Sequence, residues 1–201
     1  RHVYFICVWR RTTASSKDYH STLIKSKIIE TERLYLREMT PDDAEEAYLL
    51  NADPAVIKYT GDAPFESIEN AREFLINYKS YQLYGMGRWA VIRKSDDAFL
   101  GWCGIKYSPE INEYDIGYRF HRRYWNNGYA FEAAYACLNY GFMHLNIENI
   151  VGNVMKENLA SMRVLEKLQM KFVDEQTFGN EADLKYSMTK LDYQTIQKPQ
   201  P

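Results

Sequence analysis

The chain has 201 residues, 46% of them apolar, and a formal net charge of −2. That is enough apolar material for one self-supporting domain with or without an extension, and the near-neutral balance gives no general surface for nucleic acid. Three scattered cysteines (Cys7, Cys103, Cys137) and four histidines (His2, His20, His121, His144) show neither a disulfide framework nor metal-ligand spacing, so a reducing cytoplasm and no bound metal are expected.

Residues 1–29 carry six Lys or Arg against one acidic residue, a net of +5, which leaves −7 for the rest. Residues 1–27 therefore read as a basic extension, peripheral or engineered. Their short apolar run at 3–9 makes a poor signal peptide, because the small-residue cleavage pattern is weak. The domain is expected over 28–191, followed by a tail over 192–201. No apolar run approaches the length that spans a bilayer, so a membrane is not an expected partner.

Within the domain, "ERLYLREM" alternates as a strand, and Thr40-Pro41 opens a helix with a capping threonine and proline at its first position. Residues 67–85 predict one amphipathic helix, capped by Ser67 and ended by Gly85. "RWAVIRK", "FLGWCGIKYS" and "EYDIGYRFH" predict an antiparallel meander with turns at Ser95-Asp96-Asp97 and Pro109-Glu110-Ile111-Asn112. A helix (129–144), a strand (148–155), a helix (158–168) and two strands (170–178 and 182–190), joined by "FGNEAD", complete the order. The pattern predicts an α/β (α+β) domain with a mixed, mostly antiparallel sheet of about seven strands and helices on both faces. Its β-α-β step around Gly128 should be parallel and right-handed.

The stretch "RRYWNNGYAFEAA" (122–134) sets a polar, glycine-bearing turn against the start of an alanine-rich helix. A helix N-terminus offers unpaired N–H groups and the positive end of the macrodipole, and glycine lets phosphates approach the backbone. The alternative is a plain loop-to-helix connection. Small Ala130, Ala133 and Ala134 let the helix lie close to the sheet. Cys103 and Cys137 sit in apolar patterns and read as core.

Two blocks, "YDIGYRFHRRYWNNGYAFEAAYACLNYGF" and "NIVGNVMKENLASMRVLEKLQM", together resemble the Gcn5-related N-acetyltransferases (GNAT). The nearest branch is the RimJ/RimL-like one, which acetylates N-terminal amines of ribosomal proteins. The resemblance covers roughly residues 28–191. Gly128-Tyr129-Ala130 matches the second half of the family's Gln/Arg-x-x-Gly-x-Gly/Ala motif, while Trp125 stands where Gln or Arg is usual. Asn158-x-x-Ser161 followed by "RVLEKL" is the more specific block. Where the family has Leu-Gly-Phe, this chain reads Leu168-Gln169-Met170. Glycine there would supply the left-handed residue after the helix, a conformation that costs glutamine about 1 kcal/mol.

The resemblance implies a GNAT fold with a splayed central strand pair, acetyl-coenzyme A as co-substrate and an amine acceptor, either a peptide N-terminus or a small amine. It implies no metal and a monomer or homodimer. Trp125, Asn126, Asn127, Gly128, Tyr129 and Ala130 would cradle the pyrophosphate, with Arg122 and Arg123 adding charge. The backbone of Tyr118 and Phe120 would hold the pantetheine arm, and Asn158 would cap its helix and touch the cofactor. Ser161 at the third helical position would face the cofactor and protonate the departing thiolate, or else bond only to the backbone. Alternation puts Glu113, Asp115, Gly117 and Arg119 on one face. Either carboxylate could be the general base, directly or through water, or stand as a strand-edge group or a partner of Arg119. Rival readings are a catalytically silent acyl-coenzyme A-binding regulatory module and a small-amine or antibiotic acetyltransferase.

Overall fold

The computed structural model describes residues 26–178 and 181–197. Residues 1–25, most of the expected extension, lie outside them, as do Gly179 and Asn180 of the last turn. Eight strands form one sheet in the order β1-β2-β3-β4-β5-β6-β8-β7. They are β1 (Lys27–Glu30), β2 (Leu34–Arg37), β3 (Arg88–Arg93), β4 (Phe99–Ser108), β5 (Glu113–Phe120), β6 (Asn149–Met155), β7 (Lys171–Phe178) and β8 (Glu181–Thr189). All neighbours are antiparallel except β5 and β6, the expected parallel step. The additional strand is β1, which starts one residue inside the expected extension. Four residues are too few to show a period, and its turn is closed locally by Thr31, whose Oγ1 accepts the Leu34 N–H at 3.0 Å.

After β2 the chain makes a 3-10 turn at Pro41–Asp43 and continues as α1 (Ala44–Ala52) and the short α2 (Pro54–Ile57). Asp43 reaches back to accept the Thr40 N–H at 2.8 Å and takes both ends of the Arg37 guanidinium at 2.7 and 2.8 Å. Both side chains are over nine-tenths buried. Removing one partner of such a pair typically costs about 3–5 kcal/mol, because it strands the other charge.

The helix expected over 67–85 is two: α3 (Ile68–Asn77) and α4 (Ser80–Tyr84). Ser67 caps the first, accepting the Asn70 N–H at 3.1 Å, and Gly85 ends the second at φ 67°. The break at Tyr78 and Lys79 has a tertiary cause. The Tyr78 hydroxyl accepts the Arg88 N–H at 2.9 Å, while that of Tyr81 accepts the Met39 N–H at 3.1 Å and donates to the Arg88 carbonyl. Helical periodicity carries no trace of those contacts.

The main core lies between the sheet and α5 (Tyr129–Met143), which buries Ala133, Ala134, Cys137, Leu138 and Phe142. Close approach explains Gly141: a Cβ there would stand 2.4 Å from Ile105 Cδ1. Cys103 and Cys137 are fully buried with sulfurs 3.7 Å apart, and burial pushes the Cys137 thiol up. α6 (Leu159–Lys167) follows β6, and α7 (Lys190–Gln197) occupies much of the expected tail. Tyr193 anchors α7, its ring 5.2 Å from Phe142 and its hydroxyl 2.9 Å from Asn139 Oδ1.

Gln169 closes α6 in the left-handed conformation, φ 62°. Its N–H bonds the Glu166 carbonyl at 2.8 Å and the Met170 N–H bonds that of Leu165 at 3.1 Å. Gln169→Gly should relieve the steric cost and raise stability by about 1 kcal/mol. The check is a higher urea midpoint at unchanged m-value; an unchanged midpoint would mean that the strain is absent.

Candidate active site

The site begins with a gap. β5 and β6 share one paired register, Asp115 opposite Val151, whereas β5 pairs with β4 along its whole length. Beyond Asp115 the two strands part, and residues 116–120 have no ladder partner on the β6 side. A ligand carrying amide groups can complete such an edge as an added strand. The expected splay is therefore present.

Two side-chain bonds fix the rims of the gap. The Trp125 indole donates to the Phe120 carbonyl at 2.8 Å, and the Tyr118 hydroxyl donates to the Ser161 carbonyl at 3.0 Å, bridging β5 to α6. The Phe120 side chain is core, as expected. The Tyr118 side chain does more than line a wall, and burial raises its hydroxyl's pKa, so it stays a proton donor.

Past the end of β5, a 3-10 turn at Arg122–Tyr124 leads to Asn126 at φ 60° and Gly128 at φ 78°, the residue that caps α5. Asn127 steadies the turn, donating to the carbonyl oxygens of Trp125 at 2.8 Å and Tyr124 at 3.3 Å. Trp125, Asn126, Asn127, Gly128, Tyr129 and Ala130 thus gather at one helix N-terminus. Arg122 and Arg123 are exposed beside it; Arg122 lies 3.5 Å from Asp53, and Arg123 3.8 Å from Glu46.

Sequence reasoning missed Arg33, between β1 and β2. It donates to the Asn127 carbonyl at 3.1 Å, covers the Tyr129 ring at 4.5 Å and pairs with Glu132 of α5 at 2.6 Å. These bonds span about a hundred residues, so no local pattern carried the signal. Against the desolvation that would raise it, hydrogen bonds from Thr31 and from Arg33 hold the Glu132 carboxyl below its ordinary value.

At the start of α6, the Asn158 side chain accepts the Ser161 N–H at 3.2 Å. Asn158 is therefore the cap. The Ser161 hydroxyl is half-buried beside the Tyr118 bridge, within side-chain hydrogen-bonding reach of Tyr118.

On the sheet face opposite α5, Glu113, Asp115 and Arg119 share a side, as alternation requires, but neither carboxylate pairs with Arg119. Lys185 of β8 holds Glu113, and Arg88 of β3 holds Asp115. Arg88 reaches across because Gly117 leaves room: a Cβ there would meet the guanidinium at 2.6 Å. Arg119 instead bonds Asn51 and Asp62. Trp102 lies between the two guanidiniums, 5.5 Å from that of Arg88 and 5.1 Å from that of Arg119. These residues floor a cavity of about 300 Å³, walled on the helical side by Phe65, Phe74 and Tyr78. Arg88, Trp102, Asn51 and Asp62 come from separate elements and escaped sequence reasoning for that reason. A second cavity, about 340 Å³, lies at the other end of β5 between Asn112 and the α5–β6 loop, away from the Gly128 turn.

A splayed parallel strand pair with a glycine-started helix at its mouth is the arrangement that the resemblance to the Gcn5-related N-acetyltransferases implies, and an aromatic cavity lies on the opposite face. The match to known proteins agrees. The family model for the acetyltransferase (GNAT) domain covers residues 33–171, and the chain belongs to that family. It is 35% identical over 140 residues to the uncharacterized N-acetyltransferase p20 of Bacillus licheniformis, covering 69% of this chain and 79% of that protein. It is 37% identical over 152 residues to the uncharacterized protein YkkB of Bacillus subtilis, covering 74% and 87%. A crystal structure of a GNAT-family acetyltransferase from Bacillus anthracis superposes with a TM-score of 0.71 at 30% identity, covering 81% of this chain and 98% of that one. This chain is an N-acetyltransferase, and enzymes of its family use acetyl-coenzyme A.

At Gly128 the constraint is conformational and not spatial. A Cβ there would meet only Arg33 Nη2, at an ordinary 3.6 Å, but φ 78° is strained for any branched residue. Gly128→Val should leave a folded protein and weaken acetyl-coenzyme A binding more than about tenfold by distorting the turn. Unchanged affinity by calorimetry would remove the turn from the binding site.

Proposed function

We propose that the chain transfers an acetyl group from acetyl-coenzyme A directly to a primary amine, that this amine is the α-amine at the start of a peptide, and that it works in the cytoplasm. The observation that carries this reading is the gap between β5 and β6, which opens toward the Gly128 turn and whose β5 edge contributes Arg119 to the aromatic cavity on the far face. The cavity's size and its aromatic walls suit the first residue or two of a peptide. An α-amine, with a pKa near 8, also gives up its proton more readily than a lysine amine above 10.

In this reading the N–H groups of residues 126–130 hold the pyrophosphate, with Arg33 behind them and Arg123 at the rim. Tyr118 and Phe120 present their backbone to the pantetheine arm, and Asn158 meets it at the start of α6. The bound co-substrate supplies a thioester carbonyl to the incoming nitrogen. Ser161 passes its hydroxyl proton to the departing sulfur as it takes one from the nitrogen. Glu113 and Asp115 stand on the acceptor face, where Lys185 and Arg88 already balance their charge. As proton acceptors, each would have to compete with the cation that holds it. Direct transfer accords with the full burial of Cys103 and Cys137.

Thiol release from acetyl-coenzyme A, screened against peptides, polyamines and aminoglycosides, tests the acceptor; a preference for the latter two would overturn the α-amine. With the acceptor so found, Ser161→Ala should lower kcat about a hundredfold. Acetyl-coenzyme A affinity should barely move, because the bond strengthens only as the thioester breaks. The melting temperature should hold, since Asn158 provides the cap. Full kcat would leave Ser161 without a chemical role.

A further inference from the structure

We propose that Asp183 of β8 is the group that takes the proton from the acceptor's ammonium. Among the described residues, its Oδ1 is the only buried side-chain oxygen or nitrogen that lacks a hydrogen-bond partner. The residue as a whole is half-buried, so an unpaired carboxylate oxygen is enclosed there while the group keeps a route to solvent.

Its position follows from register. Lys185 points to the acceptor face, because it meets Glu113 there, and Asp183, two residues earlier, shares that face. Asp183 is paired with Met155 of β6, four residues beyond Val151. Four residues beyond Asp115 on β5 is Arg119. Asp183 and Arg119 therefore stand level, with the open gap and Met155 of β6 between them. The start of α6, with Ser161, follows directly from the end of β6. The proposed proton acceptor and the proposed thiolate donor thus both stand on the β6 side of the opening, one on each face of the sheet.

The carboxylates nearer the gap's closed end are already held, Glu113 by Lys185 and Asp115 by Arg88. Other charged groups around Asp183 are Glu157, just before the α6 cap, and Asp174 of β7, opposite Lys185. Burial, aided by the charge of Glu157, raises the Asp183 carboxyl above the ordinary carboxylate range, which suits a base.

The proposal rests on acetyl transfer to an amine, and its proton balance closes. The nitrogen–carbon bond forms, the carbon–sulfur bond breaks, and that electron pair leaves with sulfur. Of the two protons the ammonium loses, Asp183 takes the first and returns it to solvent. The second reaches sulfur by way of Ser161.

The decisive variant is Asp183→Asn. With a strongly basic amine, kcat/KM should fall about a hundredfold, while acetyl-coenzyme A affinity by calorimetry stays within twofold. With a weakly basic amine, already neutral at the assay pH, the loss should be under tenfold. Turnover within threefold of the parent on the basic amine, or equal losses on both amines, would overturn the proposal.

Melting temperature supplies a readout that needs no acceptor. A carboxyl whose folded pKa is raised contributes stability below its unfolded value near 3.9, and that contribution is lost as pH rises through the folded value. At pH 8 the parent carries the unfavourable charge, so Asp183→Asn should melt higher, by a margin that shrinks on acidification. A variant that melts lower at pH 8 would make Asp183 a structural residue. If the parent acetylates no amine in the panel, the acceptor reading fails, and the melting comparison still decides whether Asp183 stands as an unpaired anion.

Discussion

The structure depends on one strand pair that parts beyond Asp115 and Val151. Buried backbone groups left without partners cost about 1–3 kcal/mol each, so an open gap closes unless packing holds it. Here the strands are pulled toward different neighbours. β5 is paired with β4 from end to end, and β6 with β8. α6 presses on β6 so closely that a Cβ at Gly152 would meet Leu165 at 2.8 Å. Tyr118 and Trp125 then tie the gap's edges to α6 and to the turn, which makes the opening a fixed width.

Charge is distributed around this gap by pairing. Arg37–Asp43 braces β2 against the start of α1, and Arg33–Glu132 braces the β1–β2 turn against α5. Arg88 and Lys185 neutralise the two carboxylates of β5. His121, at the end of β5, bonds Glu46 at 2.9 Å, yet burial outweighs that attraction and lowers its pKa, which keeps the ring neutral near pH 7. Against this background Asp183 departs from the rule, and a departure that costs stability is the kind that function maintains.

What the sequence disclosed is local. Ser67, Gly85, Gly128, Asn158 and Gln169 each act within a turn of their own helix, and each sits where capping rules put it. The parallel step and the face shared by Glu113, Asp115 and Arg119 followed from periodicity. What stayed hidden is contact between distant segments. The split between α3 and α4 answers to Arg88 and Met39, α7 to Phe142, and the bracing of the Gly128 turn to Arg33. The partners of Glu113 and Asp115 come from β8 and β3, and alternation along β5 names a face without naming who crosses it. Asp183 has no motif, since its distinction is a missing bond.

The two faces of the sheet also use different materials. On the α5 side and in the gap, the co-substrate would meet mainly backbone N–H and C=O groups, whose geometry depends on φ, ψ and strand separation. Such a surface tolerates varied side chains, which explains how Trp125 can replace the family's usual Gln or Arg: its indole holds the turn to Phe120 while the N–H groups remain available. On the opposite face, an acceptor would meet side chains, namely Arg88, Arg119, Trp102, Asp62 and the aromatic wall. There each substitution changes shape and charge directly. A fold arranged in this way can keep one donor while its acceptor changes, so the family is legible from the donor side and the acceptor has to be read from the cavity.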